Sequence, residues 1–130
     1  MQKCGKKNSM KQFEFTIRGS IRGGKNSILI NRTGHRYPNP VWAKWRDEVV
    51  AELKRQQFIE LIEVPCSIQV KYTPYDRKRR DTPAMLDSIY HCLERAGIVA
   101  DDCLIKNVSW VQFPLDKEKA GVEIVIEELG

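Results

Sequence analysis

Apolar residues recur along this chain in two rhythms, and the changes from one to the other predict its elements. Phe13, Phe15 and Ile17 alternate with Glu14, Thr16 and Arg18, the period-two pattern of a strand with one buried face, and Gly19 ends it. The rhythm then lapses: Gly23-Gly24 predicts a turn, and Ile28 to Ile30 a short strand that doubles back through Asn31-Arg32-Thr33-Gly34. Asn39-Pro40 is a helix start, because the asparagine side chain accepts from an orphan N–H of the first turn and proline has no N–H to leave unpaired there. Val41, Trp42, Trp45, Val49 and Leu53 follow at three- and four-residue steps, one stripe of a helix ending about Gln56. Both tryptophans lie on that stripe, which makes them core or dimer-contact residues before base-stacking ones. Period two returns at Ile68, Val70 and Tyr72, between Pro65 and Thr73-Pro74.

The second helix is predicted with Thr82 as N-cap and Pro83 in its first turn. Met85, Leu86, Ile89, Tyr90 and Leu93 form its apolar stripe, and Gly97 is its left-handed stop. Val108 to Phe113 is a further strand. After a turn at Asp116 to Lys119, Val122, Ile124 and Ile126 give a strand that closes a hairpin. Val125 breaks that alternation, which predicts partial burial of the second face, as at a dimer contact. The order of elements implies an α+β fold, a mixed sheet covered on one face by two helices.

Composition narrows the class. A chain of 130 residues makes one domain, taken as 11–130, behind a basic N-terminal tail, 1–10, that carries Lys3, Lys6 and Lys7 without periodicity. A mean hydropathy of −0.46 excludes a membrane span, and a cytoplasmic protein is expected. The net charge of +5 favours a polyanionic partner. Cys4, Cys66, Cys92 and Cys103 show neither CxxC nor zinc-ligand spacing, so reduced thiols are expected, and His35 and His91 are too far apart to suggest a metal pair.

The chemistry concentrates between Asp76 and Asp102, in DRKRRDTPAMLDSIYHCLERAGIVADD. Arg77, Lys78, Arg79 and Arg80 suit a phosphate backbone, and the carboxylates of Asp81, Asp101 and Asp102 suit a hard cation such as Mg²⁺, which takes oxygen ligands and retains several waters. Metal chemistry on nucleic acid uses both features. A solvated face with local ion pairing uses neither, and the charge pattern fits it too.

The run RKRRD, the helix after it, and ERAGIVADDCLI with its apolar strand resemble the RusA-like Holliday junction resolvases, small dimeric Mg²⁺-dependent endonucleases of bacteria and their phages. That family places basic residues before Asp-x-Asp-Asn-Leu at a helix start, a lysine in the second turn, and then (A/G)-G-hydrophobic-x-x-Asp-Asp. The resemblance puts the first aspartate on Asp81 and the closing pair on Asp101 and Asp102, whereas the second aspartate falls on Pro83, the asparagine on Ala84 and the lysine on Asp87. It implies a metal site of Asp81, Asp102 and Asp101, meeting at one end of the helix, with catalytic roles for Asp81 and Asp102 and Asp87 as an alternative third carboxylate. The metal would be Mg²⁺, with Mn²⁺ as a substitute. DNA would contact Arg77, Lys78, Arg79 and Arg80 and, from the loop before the first helix, Lys25, Asn26, Arg32, His35 and Arg36; an ordinary polar hairpin explains that loop equally well. The resemblance implies a homodimeric endodeoxyribonuclease cutting Holliday junctions or other branched DNA in recombination and repair. Pro83 and Asp87 leave open a branched-DNA-binding module that no longer cuts, and the basic charge alone also fits a domain that contacts another protein.

Overall fold

The computed structural model describes residues 11–24, 28–57 and 60–129. In chain order the elements are β1 (Gln12–Arg18), β2 (Ile28–Ile30), β3 (Arg36–Pro38), α1 (Pro40–Gln56), β4 (Cys66–Thr73), α2 (Thr82–Arg95), β5 (Ile105–Gln112) and β6 (Gly121–Glu128), with a 3-10 turn at Asp102–Leu104. Four strands form a mixed sheet in the order β1-β6-β4-β5, and β2 pairs with β3 in a separate two-stranded sheet. β6 runs antiparallel to both neighbours, while β4 and β5 are parallel and joined through α2.

Alternation along the strands decides which face is covered. Phe15, Ile17, Ile68, Val70, Tyr72, Val122, Ile124 and Ile126 are buried, against Trp42, Trp45, Val49 and Leu53 of α1 and Met85, Ile89, Cys92 and Leu93 of α2. Glu14, Gln69 and Glu123, on the opposite face, are exposed. Both helices therefore cover one face, as the periodicity implies. Val125 is half-buried in the centre of the open face, in register with Glu14 and Gln69.

Two expectations change. β6 does not close a hairpin with β5; it enters the sheet between β1 and β4. Beyond β5 the chain stays against β4, where the Phe113 N–H donates to the Tyr72 carbonyl (2.8 Å) and the Asp116 N–H to the Pro74 carbonyl (3.2 Å), so the return strand lies on the far side of β4. The N-cap of α2 is Asp81 rather than Thr82, which places Pro83 within the first turn. The other helix ends follow the sequence. The Asn39 side chain accepts from the Val41 N–H at 2.9 Å, and Gly97 adopts φ 76° while the Ile98 N–H returns to the Leu93 carbonyl.

Candidate active site and nucleic-acid interface

The basic run lies in the loop from the end of β4 to the start of α2, and its four cations differ in their freedom. Arg80 donates to the Asp76 carboxylate at 2.7 Å and to the Lys78 carbonyl at 3.4 Å, while the Lys78 N–H donates to the same carboxylate at 3.0 Å. The guanidinium beside it, together with that N–H, holds the Asp76 carboxyl below the usual carboxylate range. Arg80 thus folds the loop. Arg77, Lys78 and Arg79 are exposed and form no ion pair among the described residues, which leaves them available to phosphates.

Asp81 follows at the helix entrance. Its backbone is extended and its side chain makes no capping hydrogen bond. The carboxylate is therefore not committed to the helix it precedes.

At the other end of α2 three acids converge. The Asp102 N–H donates to Glu94 Oε1 at 2.9 Å, and the Cys103 N–H to Asp101 Oδ1 at 2.9 Å. Glu94, Asp101 and Asp102 each offer a carboxylate oxygen, all within 4.8 Å of one another. The Cys103 N–H holds the Asp101 carboxyl below its ordinary value, and that carboxylate pushes the neighbouring thiol up. The approach to the cluster is fixed: buried Ile62 donates to the Ile98 carbonyl at 2.8 Å and accepts from the Ala100 N–H at 3.0 Å. A compact set of carboxylate oxygens at the surface fits a hard divalent cation such as Mg²⁺ or Mn²⁺, which prefers oxygen donors and retains water in the remaining positions.

Asp101 and Asp102 lie together with Glu94; Asp81 is not with them. Asp81 caps the start of α2 and Glu94 lies in its last turn, so the two are roughly 20 Å apart along the axis at the helical rise. The parallel strands agree, because the basic loop follows the end of β4 whereas Asp102 immediately precedes the start of β5. A single chain therefore does not gather Asp81 and Asp102 at one end of the helix. Asp87 lies between them, about two turns before Glu94, outside the acid cluster. Arg32, His35 and Arg36 are exposed on the β2–β3 hairpin, whose turn is shaped by the Asn31 side chain accepting from the Thr33 and His35 N–H groups. Lys25, Asn26 and the tail at 1–10 lie outside the described residues. Sequence reasoning missed Glu94, since a glutamate in the last turn of a surface helix carries no sign of what will fold against it.

No protein-family model matches the chain. Over 101 residues it is 29% identical to the crossover junction endodeoxyribonuclease RusA of Aquifex aeolicus (strain VF5), an alignment covering 78% of this chain and 79% of that protein. The likeness supports a RusA-like reading of the chain. The fold is α+β, with its mixed sheet and two helices, and among the described residues no helix is long and apolar enough to cross a membrane.

Proposed function

We propose that this RusA-like chain is a divalent-metal-dependent endodeoxyribonuclease that cuts four-way DNA junctions or other branched DNA as a homodimer, with residues 11–130 as its one domain. The observation that carries the reading is the similarity to a crossover junction endodeoxyribonuclease over most of both chains. The exposed cations at one end of α2 and the carboxylate cluster at the other support it chemically. Asp101, Asp102 and Glu94 would hold the metal, which would acidify a bound water and offset charge on the phosphate. Arg77, Lys78 and Arg79 would hold flanking phosphates while Arg80 keeps their loop folded.

A two-fold dimer reconciles the separated acids. Reversing one copy against the other sets the basic, Asp81-bearing end of one α2 beside the acidic end of its mate, with opposite charges facing. The two sheet edges differ in their fitness for such pairing. On β1, Gln56 accepts from the Thr16 N–H (2.7 Å) and donates to its carbonyl (2.8 Å), filling the place of a neighbouring strand. Among the described residues the β5 edge has no such cover, and it presents exposed Val108 and Val111, with Phe113 and Leu115 beyond. Pairing through β5 would bring Asp81 of the partner subunit toward Asp101 and Asp102, and each dimer would hold two equivalent sites for two strands of a symmetric junction.

Cleavage of a labelled four-way junction and of a matched duplex, with Mg²⁺, Mn²⁺ or EDTA, tests the reading. Metal-dependent, junction-selective product is expected, lost in Asp102→Asn. Pro83 and Asp87 favour a second reading, a junction-binding protein that does not cut; tight, selective binding without product in either metal would replace the first with the second.

A further inference from the structure

Residues 20–24, which follow β1, are built onto α1 and α2 with unusual closeness for an irregular segment. The Ser20 carbonyl accepts from the Trp45 indole N–H at 3.1 Å, and Ile21 is fully buried in the core. Gly23 lies so near the first turn of α2 that a Cβ there would fall 2.7 Å from the Ala84 Cβ and 3.1 Å from the Ala84 carbonyl carbon, well inside contact distance, and neither neighbour is a flexible side-chain end. At Gly24 a Cβ would meet the Trp42 ring at 3.4 Å. The two tryptophans thus serve a loop as well as a core. Among these anchored positions Arg22 alone carries a charge, and it is exposed, with no ion pair among the described residues.

Arg22 lines a cavity of about 340 Å³ that it shares with Lys78, Arg79, Arg80 and Asp81, and that Gly23, Gly24 and Ala84 also line. Two loops remote in sequence therefore bring together four cations, of which Arg80 is tied to Asp76. We infer that this cavity is a phosphodiester subsite in which Arg22, held in place by the Gly23–Ala84 contact, grips one backbone phosphate next to Asp81. The inference rests on the nucleic-acid reading above. It adds a cation from a second stretch of chain beside Asp81, whose carboxylate repels a phosphate. A guanidinium on an anchored segment suits the role, since its donor fork is planar and residues 20–24 are packed in place before DNA arrives.

The test is the salt dependence of junction binding, read by fluorescence anisotropy with the full chain, for the natural protein, Arg22→Gln, Arg22→Lys, Gly23→Ala and Arg55→Gln. Arg55 lies on α1, paired with Glu52, so its variant matches Arg22→Gln in net charge but not in place. Arg22→Gln is expected to weaken binding several-fold and to lower the slope of log K against log salt by about 0.9, the loss of one phosphate contact. Arg22→Lys restores the slope, Arg55→Gln keeps it, and Gly23→Ala loses it with Arg22 still present. Equal slopes for Arg22→Gln and Arg55→Gln, beside junction-selective binding by the natural protein, would overturn the subsite and leave the junction reading standing. A natural protein that binds junction and duplex alike, yet loses slope through Arg22, would uphold the subsite and overturn the junction reading.

Discussion

Ser88 shows what one polar atom does inside this core. It is fully buried on the inner face of α2, and its hydroxyl oxygen accepts from the Trp42 indole N–H at 3.1 Å, joining the two helices. Ser88→Ala leaves that buried N–H without its acceptor, a loss of about 1–3 kcal/mol. Urea unfolding should show a lower midpoint at unchanged m-value, and an unchanged midpoint would mean the indole had found another partner. A second prediction concerns the Asp76–Arg80 latch. Because the folded carboxyl is held below its ordinary value of 3.8, the latch contributes fully above that value and is lost as pH falls through the lower folded one. The Lys78 amide, which donates to Asp76, should therefore stay ordered down to the ordinary carboxyl value and become mobile only as pH falls through the lower folded one. Amide chemical shifts followed by NMR read this directly, and Arg80→Ala should bring the transition to higher pH.

Elements make their own demands. Gln56 ends α1 and at the same time closes the free edge of β1, with two hydrogen bonds to the Thr16 backbone. Gln56→Ala should cost about 1–3 kcal/mol and leave an unguarded strand edge, visible as a lower melting temperature together with concentration-dependent association. A melting temperature equal to that of the natural protein would mean the edge needs no guard. That contact also marks where the sequence stopped being legible. Asn39-Pro40 announced α1 and the alternation at Ile68, Val70 and Tyr72 announced β4, because caps and amphipathic periods act on neighbours along the chain. The turn at Asp116 to Lys119 announced a reversal but not its destination, which is set by hydrogen bonds from Phe113 and Asp116 back to β4. At the site, Asp101 and Asp102 could be picked out as adjacent acids after a glycine stop. Glu94, Arg22 and the distance between Asp81 and the acid pair depend on how α2 lies against loops remote in sequence, for which no spacing rule exists.

For the whole molecule, the decisive feature is that α2 carries cations and Asp81 at one end and Glu94, Asp101 and Asp102 at the other, roughly 20 Å away. A site confined to one chain uses only one of these ends, whereas a reversed pair of chains uses both twice. The two arrangements predict different outcomes when inactive proteins are mixed. Asp81→Asn and Asp102→Asn should each be inactive alone in junction cleavage. If each site draws Asp81 from one copy and Asp102 from the other, the mixed dimer has one site with both acids replaced and one with both intact. Random exchange makes half the dimers mixed, each with one of two sites restored, so about a quarter of the natural activity should return. Sites contained within single chains return none, since every chain in the mixture lacks an acid. A charge substitution on the exposed β5 edge, Val108→Lys, should abolish both dimer and recovery while leaving the monomer folded, by repulsion between the two lysines it introduces across the two-fold. Sedimentation gives the assembly and junction cleavage the recovery; recovered cleavage with the β5 edge charged and the dimer intact would place the interface elsewhere.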